Sequence, residues 1–341
     1  MAQQNLQWGV IGTGAIANDF ATALASSERC RIVNVTSAPG LAQPFAQKYG
    51  IARATDSVEA LLADPEVQAV YVATPHTLHE KMALAAIAAG KHVLVEKPLA
   101  TSPAAASRIV EAARQKRVFL MEAYMYRCHP LVTELISRLR AGAIGQIRHV
   151  RADFGFRDAR NPKGRLFDPT LAGGGILDVG GYPVSFARLI AGVAASKPWA
   201  EPSKLAAVGQ IGPTGVDEFA QASLGFESGV TAEVACGIRY DFGCNATVFG
   251  EEGRVMISDP WLPGGQRQGL KSQFTILRDG AEPEVVQVDI PRPIYALEAE
   301  LVADSLPALQ PAWPAMTWDD SLGNLRVMDA WRGALGLPSL Q

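Results

Sequence analysis

Runs of apolar residues without polar alternation recur along the first third of the chain, and each is followed by a segment with helical spacing. The clearest runs are WGVI at 8–11, VQAVYVATP at 67–75 and KHVLVEKP at 91–98. After the first run, apolar side chains fall four residues apart, which places them on one face of a helix. Strands that are apolar throughout and separated by helices predict a parallel sheet covered on both faces.

The pattern changes near residue 125. In QIRHVRADFGF at 146–156, apolar residues alternate with polar residues or glycine, which is the period of two expected for a sheet with one buried face. Later pairs of such segments flank three turn signals, Ser228-Gly229, Glu252-Gly253 and Asp279-Gly280. The middle of the chain therefore predicts an antiparallel sheet, and helical patterns follow it.

Composition and charge exclude several classes of protein. The 341 residues carry a net charge of −3 and 48% hydrophobic residues, enough for two hydrophobic cores. No basic run indicates a nucleic acid or a membrane surface as partner, and no uninterrupted apolar run reaches the roughly 18 residues of a bilayer span. The N-terminus lacks the basic-then-apolar pattern of a secretory signal, so we expect a cytoplasmic protein. The cysteines have no CxxC pair and no histidine at metal-ligand spacing, which predicts reduced thiols and no metal site.

A glycine motif joins the first strand to the first helix. GTGAIA at 12–17 fits G-x-G-x-x-G/A in the strand-turn-helix context that binds a dinucleotide. Gly12 permits the tight turn, Gly14 lets the backbone approach a pyrophosphate, and Ala17 allows close packing of the helix on the strand. The helix N-terminus would face the phosphate charge, so a nucleotide-binding site is predicted here.

The residue that reads the ribose is expected about 20 residues further on, at the end of the second strand. The chain there reads Thr36-Ser37-Ala38 and offers neither an acid for NAD nor an arginine for the extra phosphate of NADP. Either coenzyme is open on this basis, and the lack of a positive group favours NAD slightly.

Two further strands end in polar clusters, ATPHTLHE at 73–80 and VEKP around Lys97. Ligands of open parallel sheets bind beyond the carboxyl ends of the strands, so both clusters are candidates for cofactor or substrate contact. Lys97 precedes a proline, which restricts it to an extended conformation and can aim its side chain into the crevice. The alternatives are an exposed lysine paired with Glu96, and a pair of surface histidines at His76 and His79.

The chain carries the motifs GTGAIA, TPHTLH and EKP in this order. With these motifs it resembles the Gfo/Idh/MocA family, which groups glucose–fructose oxidoreductase, inositol dehydrogenase and dihydrodiol dehydrogenase. Segments at 121–130, 165–183 and 318–330 also look like family segments, so the resemblance covers nearly the whole chain. It implies a Rossmann domain, a second domain whose open antiparallel sheet often forms a dimer interface, and oxidation or reduction of a carbinol with NAD(P).

The expected fold is an α/β Rossmann domain plus an α+β domain with a large open antiparallel sheet. We place the NAD(P)-binding domain at 1–124 and the domain for substrate binding and oligomerisation at 125–310. A C-terminal helix within 311–341 is expected to pack back on the Rossmann domain. A homodimer or homotetramer through the antiparallel sheet is expected.

Hydride removal from a carbinol needs a base that takes the proton of the hydroxyl. A tyrosine can serve when a lysine ammonium beside it favours the phenolate. DVGGY places Asp178 and Tyr182 in a D-x-x-x-Y pattern, which is similar to the dihydrodiol, xylose and glucose–fructose branch, whereas inositol-type members carry D-x-x-x-H. The resemblance implies that Lys97 assists Tyr182 in proton transfer and that Asp178 holds a substrate hydroxyl or the lysine.

These assignments define a candidate site. The expected catalytic residues are Lys97, Asp178 and Tyr182, and the same three residues are expected to bind substrate together with Arg127 and Arg165. The expected cofactor contacts are Gly12, Gly14, Ala15, Ile16, Ser37, Thr74, Pro75, His76, His79, Glu96 and Lys97. Structural alternatives stay open: an ion pair for either arginine, a capping role for Asp178, and a loop-orienting role for Glu96.

The expected function is NAD(P)-dependent hydride transfer to or from a secondary carbinol or hemiacetal of a sugar, polyol or related diol. The polar loop at 155–172 suits a polyhydroxylated small molecule. One alternative is a glycosidase-type enzyme that uses a tightly bound NAD for transient oxidation. The other is a non-catalytic sensor of a sugar or nucleotide.

Overall fold

The chain folds into two compact units in a computed structural model that describes residues 5–263, 272–290 and 292–340. The first unit comprises residues 1–100, 104–128 and 291–321. The second comprises residues 101–103, 129–290 and 322–341.

The first unit contains a six-stranded parallel sheet. Its strands are β1 (Leu6–Ile11), β2 (Cys30–Thr36), β3 (Arg53–Thr55), β4 (Ala69–Val72), β5 (His92–Glu96) and β6 (Leu120–Ala123), in the order β3-β2-β1-β4-β5-β6. Every neighbouring pair is parallel. The strand order reverses between β1 and β4, so a ligand crevice is expected at their carboxyl ends.

Helices flank both sheets. Their bounds are α1 (Ala15–Leu24), α2 (Ala42–Tyr49), α3 (Val58–Ala63), α4 (His79–Ala88), α5 (Pro103–Lys116), α6 (Pro130–Arg140), α7 (Gly181–Ala194), α8 (Ile294–Ser305) and α9 (Trp318–Ala334). The apolar runs expected to be buried are buried, since β4 has no exposed position and β5 is buried from its second residue onward.

The second unit is built on an eight-stranded sheet. Its strands are β7 (Ile147–Gly155), β8 (Pro202–Ile211), β9 (Asp217–Phe226), β10 (Thr231–Gly237), β11 (Cys244–Gly250), β12 (Gly253–Ser258), β13 (Ser272–Arg278) and β14 (Glu284–Val288), in the order β14-β13-β12-β11-β7-β10-β9-β8. All three predicted turns connect neighbouring antiparallel strands. The central pair β7 and β10 is parallel, so the sheet is mostly rather than wholly antiparallel.

Helix α7 lies against β7 and β10 on one face of this sheet. It belongs to a stretch, 169–194, that is long and apolar enough to cross a membrane by length and composition, which the sequence reasoning did not pick out. The whole apolar window is buried inside the structure, as in the core helix of a soluble protein.

The division of the chain differs from the expected boundaries. Helix α8 was assigned to the second domain, yet it packs on α1 and β2 and so belongs to the first unit. The segment after it adds to the edge of the parallel sheet, where Leu120 N–H donates to the Leu309 carbonyl at 3.0 Å. Of the C-terminal segment expected to pack on the Rossmann domain, residues 311–321 belong to the first unit. The residues from 322 onward, which include most of α9, belong to the second unit.

Candidate active site

The turn after β1 has the geometry of a dinucleotide cradle. Gly12 adopts a φ of +109°, and a Cβ there would lie 2.4 Å from the Ala73 carbonyl oxygen. Its N–H donates to the Thr36 carbonyl at 2.8 Å, which holds the turn against the ends of β2 and β4. Among the described residues, no atom beyond its own chain neighbours lies within 4 Å of a Cβ placed on Gly14, and α1 begins at the next residue. An open helix N-terminus beside a constrained turn fits a pyrophosphate.

The predicted ribose position is neutral. Ser37 follows β2, and its hydroxyl lies 2.9 Å from that of Thr13 on the glycine turn. No charged side chain occurs from Thr36 to Gly40. The end of β2 therefore offers hydroxyl groups to a ribose, and residues 36–40 include neither an acid nor an arginine.

His79 braces two of the loops that follow the strands. Its Nδ1 lies 2.7 Å from the Pro98 carbonyl oxygen, and its Nε2 lies 2.9 Å from the Thr74 carbonyl oxygen. The ring is fully buried, and His76 packs against it with 5.7 Å between the ring centroids. Both nitrogens contact backbone carbonyls and so fix the loops after β4 and β5, while the cofactor contact expected of His79 stays a prediction.

The backbone around Lys97 is fixed on both sides. Glu96 is buried and accepts a hydrogen bond from the Tyr71 hydroxyl. Leu99 N–H donates to Glu122 Oε1 at 2.7 Å, and the Lys97–Pro98 peptide bond is cis. The hydrogen bond from Tyr71 agrees with a structural role for Glu96, which is the alternative that the sequence left open. Lys97 itself is half-buried at the strand end.

Arg127 is part of a buried ion pair. Its Nη2 lies 2.8 Å from Asp320 Oδ2, and the two side chains are 0% and 1% exposed. Its Nε donates to the Pro314 carbonyl at 2.6 Å. Burial opposes the charge of the guanidinium, but Asp320 and Tyr126 together outweigh that effect, and the pKa of Arg127 is raised. These contacts join Arg127 to Pro314 and to the first turn of α9, which is the structural ion pair that the sequence left open as the alternative to substrate binding.

The second unit contains three residues of the predicted site. Arg165 contacts Asp178, and Tyr182 follows Asp178 on the same helical segment. Asp178 lies in a π-helical turn, Ile176–Gly180, that leads directly into α7. Arg165 Nη1 donates to Asp178 Oδ1 at 2.8 Å; the arginine side chain is 53% exposed and the aspartate 5%. Tyr182 lies four residues after Asp178 and is buried. Lys97 belongs to the first unit and these three residues to the second.

The surroundings of Tyr182 include residues that the sequence reasoning did not assign to the site. Its ring centroid lies 5.3 Å from that of Phe154 and 5.8 Å from that of Trp261. Phe154 belongs to the alternating segment at 146–156, so the pattern predicted that it shares a face with Val150 and Ala152, and it is half-buried in the structure. Trp261 lies outside any periodic segment, and its Nε1 donates to the Asp153 carbonyl at 2.9 Å. Only the folded chain shows that this loop tryptophan packs on the tyrosine.

The sequence predicted reduced thiols and no metal site. Across 5–263, 272–290 and 292–340, no group of three or more His, Cys, Asp or Glu side chains is arranged to hold a metal ion. All four cysteines lie in these ranges and are free thiols.

Two family descriptions match the chain, "Oxidoreductase family, NAD-binding Rossmann fold" over residues 6–124 and "GFO/IDH/MocA C-terminal domain" over residues 132–256. The chain belongs to the Gfo/Idh/MocA oxidoreductase family. A trans-1,2-dihydrobenzene-1,2-diol dehydrogenase of Mus musculus is 40% identical over 261 residues, which are 76% of each chain. This confirms the predicted family, its dihydrodiol branch and the two-domain fold class.

Similar solved structures agree with this assignment. A 3-ketoreductase from Actinomadura kijaniata in complex with NADP and TDP-benzene is 27% identical, with a TM-score of 0.84 over 97% of this chain and 98% of that one. An aldose-aldose oxidoreductase from Caulobacter crescentus complexed with glycerol is 26% identical, with a TM-score of 0.84 over 97% of each chain. The protein is an NAD(P)-dependent oxidoreductase, and neither the glycosidase nor the sensor alternative is favoured, because these relatives are named as dehydrogenases, reductases and oxidoreductases.

Proposed function

We propose that this enzyme transfers a hydride between NAD(P) and a secondary carbinol or hemiacetal of a sugar, polyol or related diol, with Tyr182 as the proton donor or acceptor. The observation that carries the proposal is the pairing of Asp178 with Arg165 at 2.8 Å, one helical turn before a buried tyrosine. The relatives support the substrate class, since their names include a dihydrodiol dehydrogenase, a 3-ketoreductase and an aldose-aldose oxidoreductase.

Each residue has a separate task in this proposal. The coenzyme, when bound, supplies or accepts the hydride, and the Gly12–Gly14 turn with the N-terminus of α1 holds its pyrophosphate. Tyr182 exchanges a proton with the substrate oxygen. The Lys97 ammonium favours the phenolate and orients the substrate hydroxyl. Arg165 fixes the carboxylate of Asp178, which accepts a hydrogen bond from a neighbouring hydroxyl of the substrate.

The first experiment follows the absorbance of reduced nicotinamide. Purified protein would be assayed with NAD and NADP in parallel against aldoses, polyols, inositols and trans-dihydrodiols. Turnover with a sugar, polyol or diol supports the proposal and identifies the coenzyme; the neutral end of β2 leads us to expect NAD. Failure across the panel, with nucleotide released only on denaturation, would contradict it in favour of a retained-cofactor reaction.

Two substitutions test the assigned roles. Tyr182→Phe removes the exchangeable proton and should lower kcat by about 10² to 10⁴-fold, with the coenzyme dissociation constant unchanged. Lys97→Met should do likewise, and Lys81→Met, at an exposed lysine of α4, is the matched control. A Tyr182→Phe variant with the wild-type pH–rate profile would place the acid–base group elsewhere.

We further propose that the enzyme is a homodimer or homotetramer assembled through the open face of the eight-stranded sheet. The strand register puts Val208, Met256 and Val285 on the same face, opposite to the face that carries the buried residues. These side chains are 66%, 45% and 56% exposed, and covering exposed apolar side chains in an interface is favourable. Sedimentation equilibrium of Val285→Asp should show dissociation into monomers; an unchanged mass would argue against this face.

We also propose that the enzyme is cytoplasmic.

A further inference from the structure

The loop that starts the catalytic helix is anchored by a buried carboxylate outside the predicted site. Asp217 is the first residue of β9 and is fully buried. Its Oδ2 accepts a hydrogen bond from the Ile176 N–H at 2.7 Å. Ile176 opens the π-helical turn that contains Asp178 and leads to Tyr182. One side chain from the sheet therefore holds the first backbone amide of the segment that carries both residues.

The glycines before this turn are fitted to the same carboxylate. A Cβ on Gly174 would lie 2.2 Å from Asp217 Oδ1, and Gly174 has a φ of +113°. A Cβ on Gly175 would lie 3.3 Å from Asp217 Oδ2. The loop backbone can approach the carboxylate this closely only because neither position has a side chain. The glycine run at 173–175 therefore packs closely against the carboxylate of Asp217.

The same loop also holds the segment of Arg165. Gly174 N–H donates to the Leu166 carbonyl at 2.9 Å, and Gly173 N–H donates to the Asp168 carbonyl at 3.1 Å. Gly173 is packed so closely that a Cβ would lie 2.8 Å from the Arg165 carbonyl oxygen. A shift of the glycine loop would therefore move both partners of the Arg165–Asp178 pair.

The charge of Asp217 faces a cationic neighbour, Arg332. Arg332 Nη1 lies 3.8 Å from Oδ1, and the two side chains are 7% and 0% exposed. Within the described part of the chain, no hydrogen-bond donor reaches Oδ1. Burial raises the pKa of Asp217 to about 6, against the backbone hydrogen bonds and Arg332, which lower it. Burying the Asp217 carboxylate costs free energy, and such a cost is expected where the hydrogen bond is needed to hold the loop in place.

We propose that Asp217 is a positioning residue: it fixes the glycine loop at 173–175 and so sets the placement of Asp178 and Tyr182 for reaction. This inference rests on the proposed function, in which those two residues act on the substrate. Asp217 touches neither substrate nor coenzyme in this account. It acts through the Ile176 amide, and a displacement of about 1 Å at a reacting group can lower turnover by about 10²-fold.

The test compares four variants by kcat, KM, coenzyme affinity and unfolding. Asp217→Ala removes the acceptor and should lower kcat by about 10²-fold with unchanged coenzyme affinity. Asp217→Asn keeps an acceptor oxygen for Ile176 and should restore most of the turnover. Leu224→Ala, at a buried position of the same strand, is the matched control for lost stability and should keep wild-type kcat. Tyr182→Phe is measured alongside.

The outcomes separate this inference from the proposed function. If Tyr182→Phe is inactive while Asp217→Ala keeps wild-type kcat, the positioning role is wrong and the proposed function stands. If Tyr182→Phe is active, both are wrong. Equal losses of kcat in Asp217→Ala and Leu224→Ala would show that Asp217 contributes only to stability, and the positioning role would be wrong. Should Asp217→Ala not fold, Gly175→Ala replaces it, since its Cβ presses on Oδ2, and an unchanged kcat there would overturn the inference.

Discussion

Replacing Asp320 by asparagine should destabilise the protein strongly, because it leaves the Arg127 guanidinium charged and buried. The pair joins atoms 2.8 Å apart, with side-chain exposures of 0% and 1%. Removing one partner of a buried pair costs about 3 to 5 kcal/mol, since the remaining charge keeps its desolvation penalty and loses its counter-charge. Two other contacts, with the Pro314 carbonyl and the Met316 sulfur, remain and place the expected loss towards the lower end.

The assay is urea unfolding of Asp320→Asn followed by fluorescence or circular dichroism, with the free energy of unfolding extrapolated to water. The control is Glu111→Gln, which breaks an ion pair with Arg114 whose side chains are 51% and 58% exposed. Exposed pairs contribute little, so the control should unfold like the wild type. Similar losses of unfolding free energy in the two variants would refute the argument that burial makes the Arg127–Asp320 pair more important for stability than an exposed pair.

The same variant tests whether Arg127 contacts substrate. Because its guanidinium is directed at Asp320, Pro314 and Met316, the folded fraction of Asp320→Asn should keep the wild-type KM for substrate. A large rise in KM at temperatures where the variant is fully folded would instead support the predicted contact of Arg127 with substrate.

Three further predictions concern the turn and the buried acids. Gly12→Ala should abolish coenzyme binding by calorimetry, because its Cβ would lie 2.4 Å from the Ala73 carbonyl oxygen; wild-type affinity would contradict the cradle. Burial, with Glu96 nearby, raises the pKa of Glu298 well above its usual value, so the native state binds the proton more tightly and loses stability as pH rises. Glu298→Gln should therefore gain stability relative to wild type by up to about 1.4 kcal/mol per pH unit above the unfolded pKa, and a difference constant from pH 5 to 8.5 would refute this. Likewise, with a native pKa of about 6, Asp217 favours folding at low pH, so the stability of Asp217→Asn relative to wild type should rise between about pH 4 and 6 and then level off.

Local patterns were sufficient to predict most of the scaffold. The continuous apolar runs became β1, β4 and β5, and the alternating segment at 146–156 contains β7. Strand β8 was missed because it is an edge strand with most positions exposed, so no alternation of buried and polar residues marks it. The parallel pairing of β7 with β10 also left no local signal, since the period along a strand is the same for both pairings.

The sequence by itself determined the nucleotide cradle, the strand-end lysine and the Asp178–Tyr182 spacing, because these depend on short-range geometry: a positive φ at Gly12, a proline after Lys97 and four residues along one helix. Only the tertiary structure decided which charged groups are structural. Arg127 meets Asp320 across 193 residues, and Asp217 meets Ile176 across 41. Burial and ion pairing arise between segments that are remote in the chain, so the spacing of residues carries no information about them until the sheets are assembled.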